Sequence, residues 1–172
     1  MKAKMLRTEL TASPVWDSER DWSNLAARAA KAAITASSHA DLLARNFDME
    51  LSVKLSDDAE VHRLNNDYRG KDKPTNVLSF PQIQPDLLGA LANTDDGEAL
   101  LGDIILAYET CSEEAAGKNV ALTTHITHLI VHGTLHLLGY DHENETDAAL
   151  MENCEIKALA TLGIANPYSE QA

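Results

Sequence analysis

The sharpest alternation of apolar and polar positions lies at Met49-Glu50-Leu51-Ser52-Val53-Lys54-Leu55. A period of two predicts a strand with one wet face. Residues 5–11 predict a shorter first strand. Between the two, Trp22, Leu25, Ala26, Ala29, Ala33 and Ile34 recur at helical spacing, so a helix runs to about Ala36. Ser18-Glu19-Arg20-Asp21 is read as the capping box that opens it. Residues 37–47 follow neither period. Asp57, with Glu60 three positions on, caps a second helix whose apolar stripe is Val61, Leu64 and Tyr68 and whose end falls near Gly70. A polar loop then leads into a short strand over 77–81. Pro81 cannot donate to a ladder, so this strand belongs at a sheet edge or stops there. The connection over 82–100 is long and broken by Pro85, Gly89 and Asp95-Asp96-Gly97. The nearly continuous apolar run over 101–108 predicts a central strand buried on both faces. An exposed acidic helix over 111–118, a buried helix over 120–138 and a last helix over 146–162, closed by Gly163, complete the chain. Alternating strands and helices, then two strands, then helices predict an α+β fold: a small mixed β-sheet packed with helices, in a single domain over 1–172.

Composition narrows this picture. The 172 residues suffice for one sizeable core. No apolar run reaches the length of a membrane span, and Met1-Lys2-Ala3-Lys4-Met5 lacks the apolar core of a signal peptide, so the expected location is cytoplasmic. Cys111 and Cys154 lack a Cys-x-x-Cys partner and are read as reduced thiols. A net charge of −13 argues against nucleic-acid binding through the whole surface and leaves room for a local basic site.

The candidate chemistry sits on the buried helix. His132 and His136 are four residues apart, which stacks both on one helix face. Gly139 can end the helix in a left-handed conformation, and the returning chain can bring His142 to the same ion. Three imidazoles with one open position are a catalytic zinc arrangement, with one ion per chain. The spacing resembles that of the metzincin zinc peptidases, with one departure: Gly133 stands where they carry the glutamate that acts as base. His128, His132 and His136 form a second four-residue series. Its outer members lie ~12 Å apart along a helix rising ~1.5 Å per residue, too far for one zinc. His128 is therefore read as a surface residue, with a supporting role behind the ligands as the alternative.

Arg69, Lys71 and Lys73 are the densest basic cluster in this acidic chain. A planar guanidinium matches two phosphate oxygens, so Arg69 is the candidate phosphate clamp, against the reading of an ordinary solvated loop. A zinc ion lowers the pKa of bound water to ~7, which would suit phosphodiester cleavage without a glutamate base. The run from Tyr68 to Pro81, Tyr-Arg-Gly-Lys-Asp-Lys-Pro-Thr-Asn-Val-Leu-Ser-Phe-Pro, together with Leu101-Gly102-Asp103-Ile104 and the histidine motif, resembles the bacterial YbeY family. The resemblance covers roughly 49–162 in element order. It implies a zinc-dependent, single-strand-specific endoribonuclease of 16S ribosomal RNA 3′-end maturation and ribosome quality control. It implies His132, His136 and His142 as ligands, Arg69 as the catalytic arginine, and single-stranded ribosomal RNA and the small ribosomal subunit as partners, with no membrane and no organic cofactor.

Two other readings remain at this level. One is a zinc peptidase that takes its base from elsewhere, such as Asp103 or Asp141. The other is a non-catalytic ribosome-assembly factor whose structural zinc is closed by a fourth ligand, Asp141 or Glu143. The sequence gives no oligomeric state.

Overall fold

The computed structural model describes residues 6–44, 48–84, 87–88 and 98–168. Most of the 82–100 connection, the start of the first strand at Met5 and the end of the 37–47 stretch lie outside them. In chain order the elements are β1 (Leu6–Ala12), α1 (Trp22–Ala36), a 3-10 turn (Ala40–Ala44), β2 (Asp48–Ser56), α2 (Asp58–Arg69), β3 (Val77–Pro81), β4 (Glu98–Ala107), α3 (Tyr108–Gly117), α4 (Leu122–Leu137) and α5 (Glu145–Thr161). The fold is α+β, with a four-stranded mixed sheet of order β1-β2-β4-β3. β1 and β4 flank β2 in parallel, and β3 pairs antiparallel with β4 at the edge.

Side-chain alternation sorts the two faces. Leu51, Val53 and Leu55 of β2, and Ile104 and Leu106 of β4, are buried in the main core with α1, α4 and α5. α1 meets that core through Ala26, Ala29, Ala30 and Ala33, all fully buried, and these small side chains let the helix lie close. The opposite sheet face carries a smaller cluster under α2: Val61, Leu78 and Ala107, with Leu64, Phe80 and Ile105 against them. β4 departs from a regular ladder where Glu50 pairs Leu100 and Leu51 pairs Gly102. Gly102 has φ +150°, and a Cβ there would stand 2.3 Å from the Phe80 carbonyl oxygen and 2.7 Å from Leu137 Cδ2. Only glycine allows β3, β4 and α4 to converge at that point.

Several expectations are corrected. Ser18 does not cap α1: Asp21 does, accepting from the Asn24 amide at 3.0 Å. The upstream residues are spent on a turn, in which Asp17 accepts from the Glu19 and Arg20 amides and from Trp22 Nε1. Tyr108 is the first residue of α3 rather than the end of β4. β4 is central but not sealed on both faces, because Asp103 and Ile105 line an open groove on the α2 side. Tyr68 is 70% exposed and meets Phe80 only edge to face. α3 is not wholly exposed, since Cys111 and Ala115 turn into the core side. Burial pushes the Cys111 thiol up to about 12.

Candidate metal centre

α4 is buried along most of its length between α1 and the sheet, which fixes its rotation. Gly133 faces the sheet: a Cβ there would lie 3.0 Å from Ser79 Oγ and 3.1 Å from Ile104 Cγ2. That packing turns the neighbouring His132, and His136 one turn later, toward the cleft beside β3. Their ring centroids are 4.5 Å apart and their Nε2 atoms 3.0 Å apart. Gly139, at φ +97°, reverses the chain, and the Tyr140 amide closes the helix end on the Leu135 carbonyl at 3.0 Å. Tyr140 anchors this turn to the end of α1, accepting from the Ser38 amide at 2.8 Å and donating to Ser38 Oγ at 3.1 Å. His142 follows, with ring centroids 5.7 Å from His132 and 5.2 Å from His136.

The three imidazoles each offer a nitrogen within 4.8 Å of the others. Bonds of ~2.1 Å in a tetrahedral site set ligand nitrogens roughly 3.4 Å apart, so the cluster is of the right size. The far ring atoms strengthen the fit. His136 Nδ1 lies 2.9 Å from the Tyr140 carbonyl, and His132 Nδ1 lies 3.0 Å from Glu155 Oε1. Both partners only accept, so both Nδ1 atoms carry the proton and both Nε2 atoms present lone pairs. Two lone pairs 3.0 Å apart repel unless a cation lies between them. Burial, helped by His132 alongside, pushes the His136 imidazole down to about 4, which keeps it in the neutral form that binds metal.

The same cleft, about 570 Å³, is lined by His132, His136, His142, Asp141, Arg69 and Lys71, and by Val77, Ser79 and Pro81 of β3. Arg69 ends α2, and Gly70 caps the helix in the left-handed region at φ 68°. Two side chains tie the following loop to α2. Buried Asn65 donates to the Lys73 carbonyl at 2.8 Å, and His62 Nε2 meets Asp72 Oδ1 at 2.7 Å. Among the described residues the Arg69 guanidinium has no ion-pair partner, so its fork is available. Asn76, also in the cleft wall, donates to Glu114 at 3.0 Å; Glu114 in turn meets buried His125 at 2.8 Å. Burial lowers the His125 pKa.

The reading of His128 as a surface residue is corrected. It is buried, with Nε2 3.0 Å from Glu155 Oε1. Glu155 itself had no place in the sequence reading. Its burial works to raise its pKa, yet hydrogen bonds from His128 and His132 hold it at about 2. The signal was present: Met151, Glu155, Ala158 and Leu159 form the buried stripe of α5, with one acid among apolar residues. Asp103 lies on the far face of the sheet, in the α2-side groove rather than this cleft. Asp141 accepts its neighbour's amide, His142 N, at 2.7 Å. Among the described residues the donors gathered within 4.8 Å are the three imidazoles alone.

A protein-family sequence profile described as Endoribonuclease YbeY matches residues 15–163. A protein named Endoribonuclease YbeY from Sphingopyxis alaskensis is 58% identical over 167 residues, covering 97% of this chain and 99% of its own. Another of that name, from Rhizorhabdus wittichii, is 54% identical over 96% of this chain and 98% of its own. The solution structure of TM1509 from Thermotoga maritima aligns with a TM-score of 0.52 and 21% identity, over 96% of this chain and all of that one. At that identity the likeness bears on the fold alone. The family match and the two near full-length relatives agree, and the chain belongs to the Endoribonuclease YbeY family.

Proposed function

We propose that the protein is a zinc-dependent endoribonuclease that cleaves single-stranded RNA, acting in 16S ribosomal RNA 3′-end maturation and ribosome quality control in the cytoplasm. The observation that carries this reading is the convergence of Arg69 and the three-histidine cluster on one cleft. The names of the relatives supply the substrate class. His132, His136 and His142 would hold the ion, which when bound supplies Lewis-acid stabilisation of developing charge and acidifies water. Arg69 grips the scissile or an adjacent phosphate through two parallel N–H donors, and Lys71 adds a second positive charge in the same wall. Both act at the cleft while the chain as a whole carries −13, so attraction for RNA is local. Against the peptidase reading stands Gly133, in the place of the glutamate base and packed so closely on Ser79 of the cleft wall and on Ile104 that a longer side chain would have to displace them. The structural-zinc reading lacks a fourth protein donor among the described residues. No described helix is long and apolar enough to cross a membrane.

The test is cleavage of a labelled single-stranded RNA by folded, zinc-loaded wild type, Arg69→Ala and Arg69→Lys, with a duplex and a peptide as controls. Loss of one preorganised donor typically costs ~10²–10³ in rate. Arg69→Lys keeps the charge but not the fork, so it is impaired as well. Arg69 is exposed at a helix end, so both variants fold. Wild-type rates in both would remove Arg69 from the mechanism.

A further inference from the structure

α5 and the segment after it form a built polar site behind His132. Glu155 is 1% exposed and has all its partners on other elements or beyond its own helix. Its Oε1 meets His132 Nδ1 and His128 Nε2, each at 3.0 Å. Its Oε2 accepts from the Tyr168 hydroxyl at 2.8 Å. Tyr168 arrives there because Gly163, at φ +78°, turns the chain at the end of α5. The Ile164 amide then bonds back to the Leu159 carbonyl at 2.9 Å, and Ile164 packs on the core. The segment thus doubles back, and the Tyr168 ring stands edge-on to His128, with centroids 5.6 Å apart. Burial and the Glu155 charge raise the Tyr168 pKa, so its hydroxyl stays a donor.

We propose that Glu155 and Tyr168 are positioning residues for metal binding: the carboxylate fixes the ring and tautomer of His132, and the tyrosine hydroxyl holds the carboxylate. The inference rests on the three-histidine reading and extends it to residues that touch no ion. A carboxylate accepting from Nδ1–H leaves the Nε2 lone pair aimed at the cleft and makes the imidazole a stronger donor. His128 takes the remaining direction on Oε1, so the carboxylate cannot rotate away. The C-terminal segment is therefore part of the metal site, although Tyr168 lies 26 residues beyond His142.

The experiment titrates zinc into the full chain against a chromogenic chelator, for wild type, Glu155→Gln and Tyr168→Phe. In parallel, ¹⁵N NMR of the metal-free proteins reads the His132 ring tautomer. Glu155→Gln should bind zinc roughly 10–100-fold more weakly and lose the pure Nδ1–H tautomer of His132. Tyr168→Phe removes the hydroxyl's contacts with Glu155 Oε2 at 2.8 Å and His128 Nε2 at 3.4 Å from a partly exposed position, folds normally, and should weaken binding roughly 3–10-fold. A purely structural role would lower the melting temperature while leaving zinc affinity and the His132 tautomer of the folded protein unchanged. That result in both variants, or in Tyr168→Phe alone if Glu155→Gln does not fold, overturns the assignment. A wild-type chain that binds no zinc would instead overturn the metal reading itself.

Discussion

The difference between this site and a peptidase comes down to one residue that has no side chain. Gly133 lies where α4 presses on the sheet, with Ser79 Oγ and two Ile104 carbons within 3.0–3.2 Å of a hypothetical Cβ. A glutamate installed there would be wedged between α4, Ser79 of the cleft wall and Ile104, and would fit only by displacing them. Gly133→Glu should therefore cost about 2–5 kcal/mol, from overpacking and a desolvated carboxylate together, and create no peptide hydrolysis. Thermal denaturation and a peptide-cleavage assay on the zinc-loaded variant check both halves. A stable variant that cut peptides would restore the peptidase reading. The sequence revealed His132, His136, Gly139 and His142 because helical periodicity and left-handed glycine act over a few residues. It hid the roles of Glu155 and His128, because a hydrogen bond spanning 23 or 27 positions leaves no mark in local spacing. The acid on the apolar stripe of α5 was the only trace.

Elements were legible where one local force dominated. The alternation over Met49–Leu55 located β2, and Asp57 capped α2 as expected, accepting from the Glu60 amide at 2.9 Å. Boundaries slipped where tertiary partners competed. Asp17 gathers a turn around Trp22 and moves the start of α1 to Asp21, and Tyr108 begins α3 while its ring packs on Trp16. Glu60 shows such competition with a measurable consequence. Its carboxylate accepts from Ser56 Oγ at 2.6 Å and from Lys54 Nζ at 2.9 Å, joining the end of β2 to the first turn of α2. The Ser56 hydrogen bond, then the Lys54 one, hold its pKa below 4.5. A carboxylate depressed in the folded state contributes stability that is fully present above the unfolded value and is lost as pH falls through the folded one. Glu60→Gln should thus be less stable than wild type by about 1 kcal/mol at pH 7. For a chain of this size that is roughly 2–4 °C in melting temperature. The gap should close progressively below pH 4.5. A gap independent of pH would mean that the carboxylate charge contributes nothing.

At the scale of the whole molecule, the sheet order brings together a helix end, a loop and an edge strand that are far apart in sequence. β3 forms the cleft wall because it pairs antiparallel outside β4, and Arg69 reaches the cleft because α2 runs toward β3. Of the three histidines, two sit half-buried on α4, whereas His142 lies in a stretch, 141–147, that is exposed throughout. Its described tethers are local: its own amide to Asp141 Oδ1, and its ring nitrogen 3.7 Å from the same oxygen. An ion shared by all three would therefore tie an exposed loop to the most buried helix, and unfolding would have to release it. A ligand bound only by the folded state stabilises it by about 2.7 kcal/mol at a free concentration a hundred times Kd. At roughly 2–4 °C per kcal/mol, chelation should lower the melting temperature by about 5–11 °C. His142→Ala isolates the loop's share. The side chain is exposed, so the metal-free variant should melt with metal-free wild type, while zinc should raise its melting temperature by much less. Superimposable curves for zinc-loaded and chelated wild type, with metal content measured in each, would show that the three histidines do not clamp the fold through a common ion.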